Sequence, residues 1–224
     1  MIEFIFMLTH NDRTVDDAPD VLASLRDTGL AYVGFKDVGA SPQRQRELTE
    51  AAHHMGMQVM LEVVSTSPED EAASLRAARA AGVDWVLGGT TPAVGQDILA
   101  GSGIRYCPFP GTVAGHPSRL SGTIAEIADH AKQLTALDGV HGVDLLTYRH
   151  ADADPEELTR AVANAADGPL IAAGSVVTEE QITLLCRAGA WGFTIGGAIF
   201  ERRLPGGDTV AGQVKAVLAM AAGA

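Results

Sequence analysis

Eight short apolar runs alternate with stretches of helical periodicity along almost the whole chain. The runs cover residues 3–8, 31–35, 58–64, 85–87, 104–107, 142–146, 169–172 and 192–195. A strand followed by a helix, repeated eight times, is typical of a parallel sheet closed into a (β/α)8 barrel. A doubly wound open sheet is the competing architecture, but it usually places a glycine-rich turn directly after its first strand. Here the glycine-rich turns come late, so we predict an α/β fold with one TIM-barrel domain over residues 1–224.

The predicted helices have well-marked ends. A capping side chain precedes a proline at three predicted helix starts: Ser41-Pro42, Ser67-Pro68 and Asp154-Pro155. Thr178 and Gln181 have the spacing of a capping box. Glycines that precede a strand are expected to end the helix before it, as at Gly29, Gly82 and Gly189.

Composition excludes several classes of partner. The chain has a formal net charge of −12, so we expect it to bind neither nucleic acid nor an anionic membrane surface. Its two cysteines, Cys107 and Cys186, are far apart and do not indicate a disulfide framework. No apolar run approaches the length of a membrane span, and residues 1–12 lack the basic flank of a signal peptide. We therefore expect a cytoplasmic protein.

Three charged residues are predicted to point into the mouth of the barrel. Because successive strand residues face opposite sides, the apolar Val33 and Phe35 face the helices, and Lys36 faces inward. The same alternation turns Glu62 inward on the third strand and Asp144 inward on the sixth. Active sites of this fold lie at the carboxyl ends of the strands, where these side chains are expected.

A lysine beside two carboxylates is suited to carbonyl chemistry. A desolvated lysine forms an iminium ion or polarises an oxygen, while a carboxylate or phenol moves the proton. We predict Lys36, Glu62 and Asp144 as catalytic residues, with support from His10 and from Tyr148, which continues the phase of the sixth strand. His10 also lies near the mouth, beside Asp12. The alternative is that the charged side chains only satisfy one another in a structural ion-pair layer.

We expect no metal and no cofactor. No two histidines have a convincing ligand spacing, there is no cysteine cluster, and no dinucleotide or P-loop motif occurs. A divalent ion is a weaker alternative, with ligands drawn from His10, Asp12, Glu62 and Asp144.

The segment 169–200 has a glycine turn after each of its two apolar runs. Ala173-Gly174-Ser175 follows the seventh run, and Ile195-Gly196-Gly197 follows the eighth. Backbone amides exposed after neighbouring parallel strands form a nest for a phosphate group. We therefore predict phosphate binding by Gly174, Ser175, Gly196 and Gly197. The long irregular stretch 108–122 is a candidate lid, and its His116 is a candidate substrate contact.

These turns resemble the phosphate-binding half of the ribulose-phosphate-binding barrel superfamily. That group includes the histidine-pathway isomerase and cyclase, phosphoribosylanthranilate isomerase and orotidine-phosphate decarboxylase. The resemblance covers about thirty residues and implies a phosphorylated ligand. A weaker similarity is to the furan-forming methyl phosphate synthases: Lys36 has the position of their Schiff-base lysine, and Asp144 with Tyr148 resembles their Asp-x-x-x-Lys pattern, with tyrosine in place of lysine.

Together these features predict an enzyme that acts on a small phosphorylated carbonyl metabolite, a sugar or triose phosphate. The favoured chemistry is of the lyase or aldolase type through Lys36. A sugar-phosphate isomerase or epimerase that forms no Schiff base is the alternative, and a non-catalytic phosphometabolite-binding protein is a third. Barrels of this type often dimerise, so a homodimer is also possible.

Overall fold

The computed structural model describes residues 2–65 and 67–224, which contain the predicted eight-stranded barrel. Its strands are β1 (Glu3–Met7), β2 (Tyr32–Lys36), β3 (Gln58–Val63), β4 (Trp85–Gly88), β5 (Arg105–Cys107), β6 (Val143–Leu145), β7 (Leu170–Ala172) and β8 (Gly192–Ile195). They pair in parallel in the order β6-β7-β8-β1-β2-β3-β4-β5. Two backbone hydrogen bonds join β5 to β6: His141 N–H donates to the Tyr106 carbonyl at 2.8 Å, and Asp144 N–H to the Pro108 carbonyl at 3.1 Å.

Helices cover the outside of the barrel. They are α1 (Ala18–Ala23), α2 (Pro42–His54), α3 (Pro68–Ala81), α4 (Pro92–Leu99), α5 (Ile124–Thr135), α6 (Pro155–Ala165), α7 (Glu179–Ala188), α8 (Gly197–Phe200) and α9 (Val210–Gly223). The predicted capping is confirmed: Ser41, Ser67 and Asp154 each accept a backbone N–H of the first helical turn. Thr178 and Gln181 form a reciprocal capping box. These caps start α2, α3, α6 and α7, which follow β2, β3, β6 and β7 and pack back over the sheet.

The strand alternation separates an outer core from an inner one. Val33 and Phe35 pack in the large cluster between strands and helices, as predicted. The inner cluster is made of Ile5, Met7, Met60, Trp85, Leu87, Cys107 and Ile171. At the amino-terminal end of the barrel, Trp85 stacks on Trp191 with ring centroids 5.2 Å apart. The inner core is therefore apolar, and the inward-facing charged residues Lys36 and Glu62 lie at the carboxyl-terminal end of the barrel.

Two short hairpins lie at the carboxyl ends of the strands. The first pairs Thr9–His10 with Arg13–Thr14 directly after β1. The second pairs Thr112–Ala114 with Arg119–Ser121, so the stretch predicted as irregular contains regular structure. This second hairpin is stabilised by the pairing of Val113 with Leu120, because Leu120 is buried against the outer core.

No helix among residues 2–65 and 67–224 has both the length and the apolar character needed to cross a bilayer.

Candidate active site

A cavity of about 490 Å³ opens at the carboxyl ends of the strands. Lys36 and Glu62 lie at its floor, and Gly174, Ser175, Gly196 and Gly197 form part of its wall. The inward-facing charges of β2 and β3 and the two glycine turns therefore line one cavity, as the sequence predicted for the barrel mouth.

Both glycine turns require a residue without a side chain. Gly174 has φ of +79°, and a Cβ there would collide with the side chain of Arg149. A Cβ on Gly196 would lie 2.5 Å from the Thr9 hydroxyl oxygen and 2.6 Å from the Thr9 carbonyl oxygen, so the turn after β8 packs directly on the first hairpin. Gly197 begins α8, whose first N–H groups have no partner within the helix. Ser175 has φ of +63°, a conformation that non-glycine residues adopt mainly at constrained positions.

The amine of Lys36 is buried between two carboxylates. Its Nζ lies 2.5 Å from Asp12 Oδ1 and 3.5 Å from Glu62 Oε1. Lys36 and Glu62 are only 4% and 3% exposed, and their strands pair them as direct neighbours. Because both residues are almost free of bulk water, their charges interact more strongly than a surface ion pair.

Asp12 joins three basic side chains at the mouth, whereas the sequence indicated it only as a possible ligand of a divalent ion. Besides Lys36, it accepts a hydrogen bond from Arg149 Nη2 at 3.1 Å, and its Oδ2 lies 3.6 Å from His116 Nδ1. Burial alone would raise the pKa of Asp12, but Lys36 and Arg149 hold it below its ordinary value. The carboxylate is therefore a fixed negative charge at the centre of the cluster.

A tight turn places Asp12 over Lys36. Asn11 and Asp12 have φ of +50° and +63° and link the two strands of the first hairpin. The hairpin is tied to β2 through Thr14, whose hydroxyl donates to the Lys36 carbonyl at 2.8 Å and accepts from the Lys36 N–H at 3.0 Å. An Asn-Asp pair four residues after a barrel strand is the sequence signal that indicates this turn.

Asp144 differs from the other carboxylates because it is completely buried. Neither carboxyl oxygen has a hydrogen-bond partner among residues 2–65 and 67–224. Burial raises the pKa of Asp144 well above its ordinary value, and the Glu62 carboxylate raises it further, against the opposing effect of Lys36 and Arg149. The Asp144 carboxyl is therefore the proton-carrying acid of the cluster, and Asp12 is its permanent anion.

Asp144→Asn is expected to flatten the dependence of stability on pH. In the native protein Asp144 keeps a proton that the unfolded chain releases above about pH 4, so the free energy of unfolding falls as pH rises toward the raised pKa. The contribution is up to about 1.4 kcal/mol per pH unit, and asparagine removes it. Urea unfolding between pH 4 and pH 8 measures the effect, with Asp129→Asn on the exposed face of α5 as the control. Parallel curves for the wild type and Asp144→Asn contradict the protonated carboxyl.

Tyr148 does not join the other predicted catalytic residues. The chain leaves β6 in a 3-10 turn over Thr147–Arg149, which ends the strand alternation on which the prediction depended. Tyr148 donates instead to the Gln181 carbonyl at 3.3 Å, next to α7, and Arg149 enters the cavity in its place. Burial, with a smaller effect of Asp154, raises the pKa of Tyr148 to about 12.

We expect Tyr148→Phe to lower turnover far less than loss of Lys36 does, because the phenol donates to the Gln181 carbonyl and does not contact the Lys36 cluster. Loss of the single hydrogen bond costs roughly 1 kcal/mol of stability. Steady-state kinetics and thermal unfolding measure the two effects separately. A fall in kcat of a hundredfold at unchanged stability contradicts this placement.

The two candidate histidines occupy different places at the mouth. His116, at the tip of the second hairpin, lines the cavity and faces Asp12, where it is able to contact a substrate. His10 is farther out: its ring packs on Phe200 with centroids 6.1 Å apart, and its Nε2 lies 3.2 Å from Glu201 Oε1. His10 therefore borders α8 and the second glycine turn, not the Lys36 amine. Within the described residues, no group of three histidine, cysteine or acidic side chains is arranged to hold a metal ion.

No protein-family model and no curated protein sequence matches the chain. Solved structures do match. Orotidine 5′-phosphate decarboxylase from Pyrococcus horikoshii OT3 aligns with a TM-score of 0.71 and 12% identity, over 99% of this chain and 100% of that one. A mutant tryptophan synthase alpha-subunit from Pyrococcus furiosus aligns at 0.67 and 15%, over the full length of both. N-(5′-phosphoribosyl)anthranilate isomerase from Pyrococcus furiosus aligns at 0.64 and 13%, again over both chains. At these identities the matches establish the TIM-barrel fold.

Proposed function

We propose that this protein is an enzyme for a small phosphorylated carbonyl metabolite, and that Lys36 forms an imine with the carbonyl carbon. The observation that carries the proposal is the shared cavity, which has a buried lysine at its floor and two glycine turns in its wall. A ligand whose phosphate lies at the turns extends its carbon chain toward the amine. The resulting chemistry is of the lyase or aldolase type.

Local groups support phosphate binding in spite of the chain's net charge of −12. Backbone amides at Gly174–Ser175 and Gly196–Gly197 present partial positive charge, and Arg203 lines the same cavity. Two of the structurally similar proteins are named for phosphorylated compounds, orotidine 5′-phosphate and N-(5′-phosphoribosyl)anthranilate. Their similarity agrees with this class of ligand.

The first steps need a neutral amine, so the ammonium group of Lys36 has to lose a proton. Lys36 transfers one proton to Glu62 or to the medium, and its nitrogen then adds to the carbonyl carbon. The carbonyl oxygen takes up two protons, one from the added nitrogen and one returned by Glu62 or the medium, and leaves as water, which gives an iminium ion on Lys36 and an ionised Glu62. Asp12 stays ionised and stabilises the positive charge of this iminium, because its Oδ1 is 2.5 Å from the nitrogen.

The iminium then serves as the electron sink for bond cleavage. We assign to Glu62 the role of the base that removes the proton from the hydroxyl group on the β-carbon, and the bond between the α- and β-carbons breaks. Its electron pair moves to the nitrogen and leaves an enamine. Glu62 then returns that proton to the enamine carbon; Asp144 is completely buried and is not among the residues that line the cavity, so it acts on the site only through the charge of Glu62. Hydrolysis then returns the free lysine.

One observation favours a second candidate, an isomerase that forms no covalent intermediate. The ion pairs of Lys36 with Asp12 and Glu62 stabilise its ammonium form, which is able to polarise a carbonyl oxygen without attacking the carbon. Glu62 would then move a proton between adjacent carbons of the sugar phosphate. This candidate predicts exchange of substrate protons with solvent and no adduct.

Reductive trapping tests the proposal. The protein is incubated with dihydroxyacetone phosphate, glyceraldehyde 3-phosphate, ribose 5-phosphate or xylulose 5-phosphate, reduced with borohydride and weighed intact. The expected result is one reduced adduct, absent with unphosphorylated dihydroxyacetone and absent in Lys36→Met. Lys132→Met is the matched control, since Lys132 is exposed on α5 and is one of only three lysines in the chain. Solvent deuterium in a recovered sugar phosphate, with no adduct, overturns the imine in favour of the isomerase.

A further inference from the structure

A second, smaller cavity of about 320 Å³ adjoins the first one. We name it the arginine annex; its lining includes Pro117, Ser118, Arg119, Tyr148, Arg149, His150 and Ser175. We propose that the annex binds a second anionic group of the substrate, a carboxylate or a second phosphate. The inference deepens the proposed function and rests on it, because it assumes that the substrate's phosphate lies at the glycine turns.

The charge of the annex is opposite to that of the whole protein. Two arginines line it, and none of its described lining residues is an aspartate or a glutamate. Arg119 has no carboxylate within ion-pair distance in the part of the chain that the structure describes. In a chain with a net charge of −12, an exposed arginine that has no carboxylate partner and lines a half-open cavity indicates a site for an anion.

The walls of the annex are held in place before any ligand binds. Arg149 is fixed from two sides, by Asp12 at 3.1 Å and by the Ser118 carbonyl at 3.4 Å. His150 Nδ1 accepts from the N–H groups of Asp152 and Ala153, so its Nε2 carries the proton and donates to the Gly122 carbonyl at 2.8 Å. These bonds tie the segment after β6 to the second hairpin, and preorganised walls reduce the entropy lost on binding.

The two cavities meet at shared residues. Pro117, Arg149 and Ser175 line both of them. Ser175 belongs to the first glycine turn, and Arg149 contacts both that turn and Asp12. A ligand that has its phosphate at the turns and its carbonyl at Lys36 is therefore able to extend an additional group past Arg149 into the annex. Arg119, on the second hairpin, lines the annex and not the main cavity, so only this additional part of the ligand would contact it.

Matched pairs of ligands that contain no carbonyl group test the annex without turnover. Glycerol 3-phosphate, erythritol 4-phosphate and sorbitol 6-phosphate carry one anionic group. Each is compared with its aldonate, namely 3-phosphoglycerate, 4-phosphoerythronate and 6-phosphogluconate, which adds a carboxylate at the far end. Sorbitol 1,6-bisphosphate replaces that carboxylate with a phosphate, which separates the two sources of negative charge. Calorimetric titration gives Kd for each ligand.

We expect at least one aldonate or the bisphosphate to bind ~10-fold or more tightly than its singly charged partner. Arg119→Gln should reduce this preference at least ~3-fold while leaving the alditol phosphates unchanged, and Arg46→Gln on the exposed face of α2 should change neither. Equal affinities within every pair, or equal weakening of both members by Arg119→Gln, overturn the annex while the phosphate site stands. If neither the alditol phosphates nor inorganic phosphate bind, the proposed phosphate site itself is wrong, and the annex proposal fails with it.

Discussion

Lys36→Met should lower turnover of the trapped substrate by at least ~10³-fold, because methionine cannot form an imine and no second lysine lines the described cavity. Phosphate binding should persist, since the glycine turns are separate from the amine. The variant should also lose stability: Asp12 keeps its ion pair with Arg149, but Glu62 is left as a buried carboxylate without the ammonium group, and removing one partner of a buried ion pair costs roughly 3–5 kcal/mol. Turnover, the Kd of inorganic phosphate and urea unfolding measure the three effects.

Lys36→Arg separates the two roles of the lysine. Arginine keeps the positive charge between Asp12 and Glu62, so the loss of stability should be smaller, but a guanidinium group cannot form an imine. Turnover should stay as low as in Lys36→Met. If Lys36→Arg retains a tenth or more of the wild-type kcat, the lysine acts through its charge alone, and the isomerase becomes the better account.

Gly174→Ala should weaken phosphate binding by ~10–100-fold, which corresponds to one or two charge-assisted hydrogen bonds. The added methyl group would collide with the Arg149 side chain, and the φ of +79° is unfavourable for alanine. Relief of either conflict moves the turn or displaces Arg149 from Asp12. Titration with inorganic phosphate and with the sugar phosphate gives the loss of affinity.

Gly139→Ala is the matched control for backbone strain. Gly139 has φ of +80° and open space where a Cβ would lie, and it lines neither the main cavity nor the annex. Both alanine variants should lose about 1 kcal/mol of stability from the left-handed conformation, but only Gly174→Ala should lose affinity. Equal phosphate affinities for Gly174→Ala and wild type would remove this turn from the phosphate site.

The barrel could be predicted because its signal is local. Strand alternation placed Val33 and Phe35 in the outer core and Lys36 and Glu62 in the mouth, and the structure confirms these placements. A proline preceded by serine or aspartate marked helix starts for the same reason, because a helix cap depends only on residues a few positions apart in the sequence.

The clusters around Asp12 and Arg149 could not be predicted in the same way. The contact between Asp12 and Lys36 spans 24 residues, and the contact between Asp12 and Arg149 spans 137. Each depends on a turn, the Asn11-Asp12 hairpin in one case and the 3-10 turn after β6 in the other. Extending the β6 alternation through that turn predicted Tyr148 at the mouth and missed Arg149, because a 3-10 turn rotates each residue by about a third of a circle and not by half.

The central claim is that one ligand reaches from the glycine turns to Lys36. A crystal structure of the borohydride-reduced adduct tests it most directly. The account predicts a covalent bond between Lys36 Nζ and the former carbonyl carbon, with the phosphate bound by backbone N–H groups of Gly174–Ser175 and Gly196–Gly197. An adduct on another lysine, or a phosphate bound away from both turns, contradicts it.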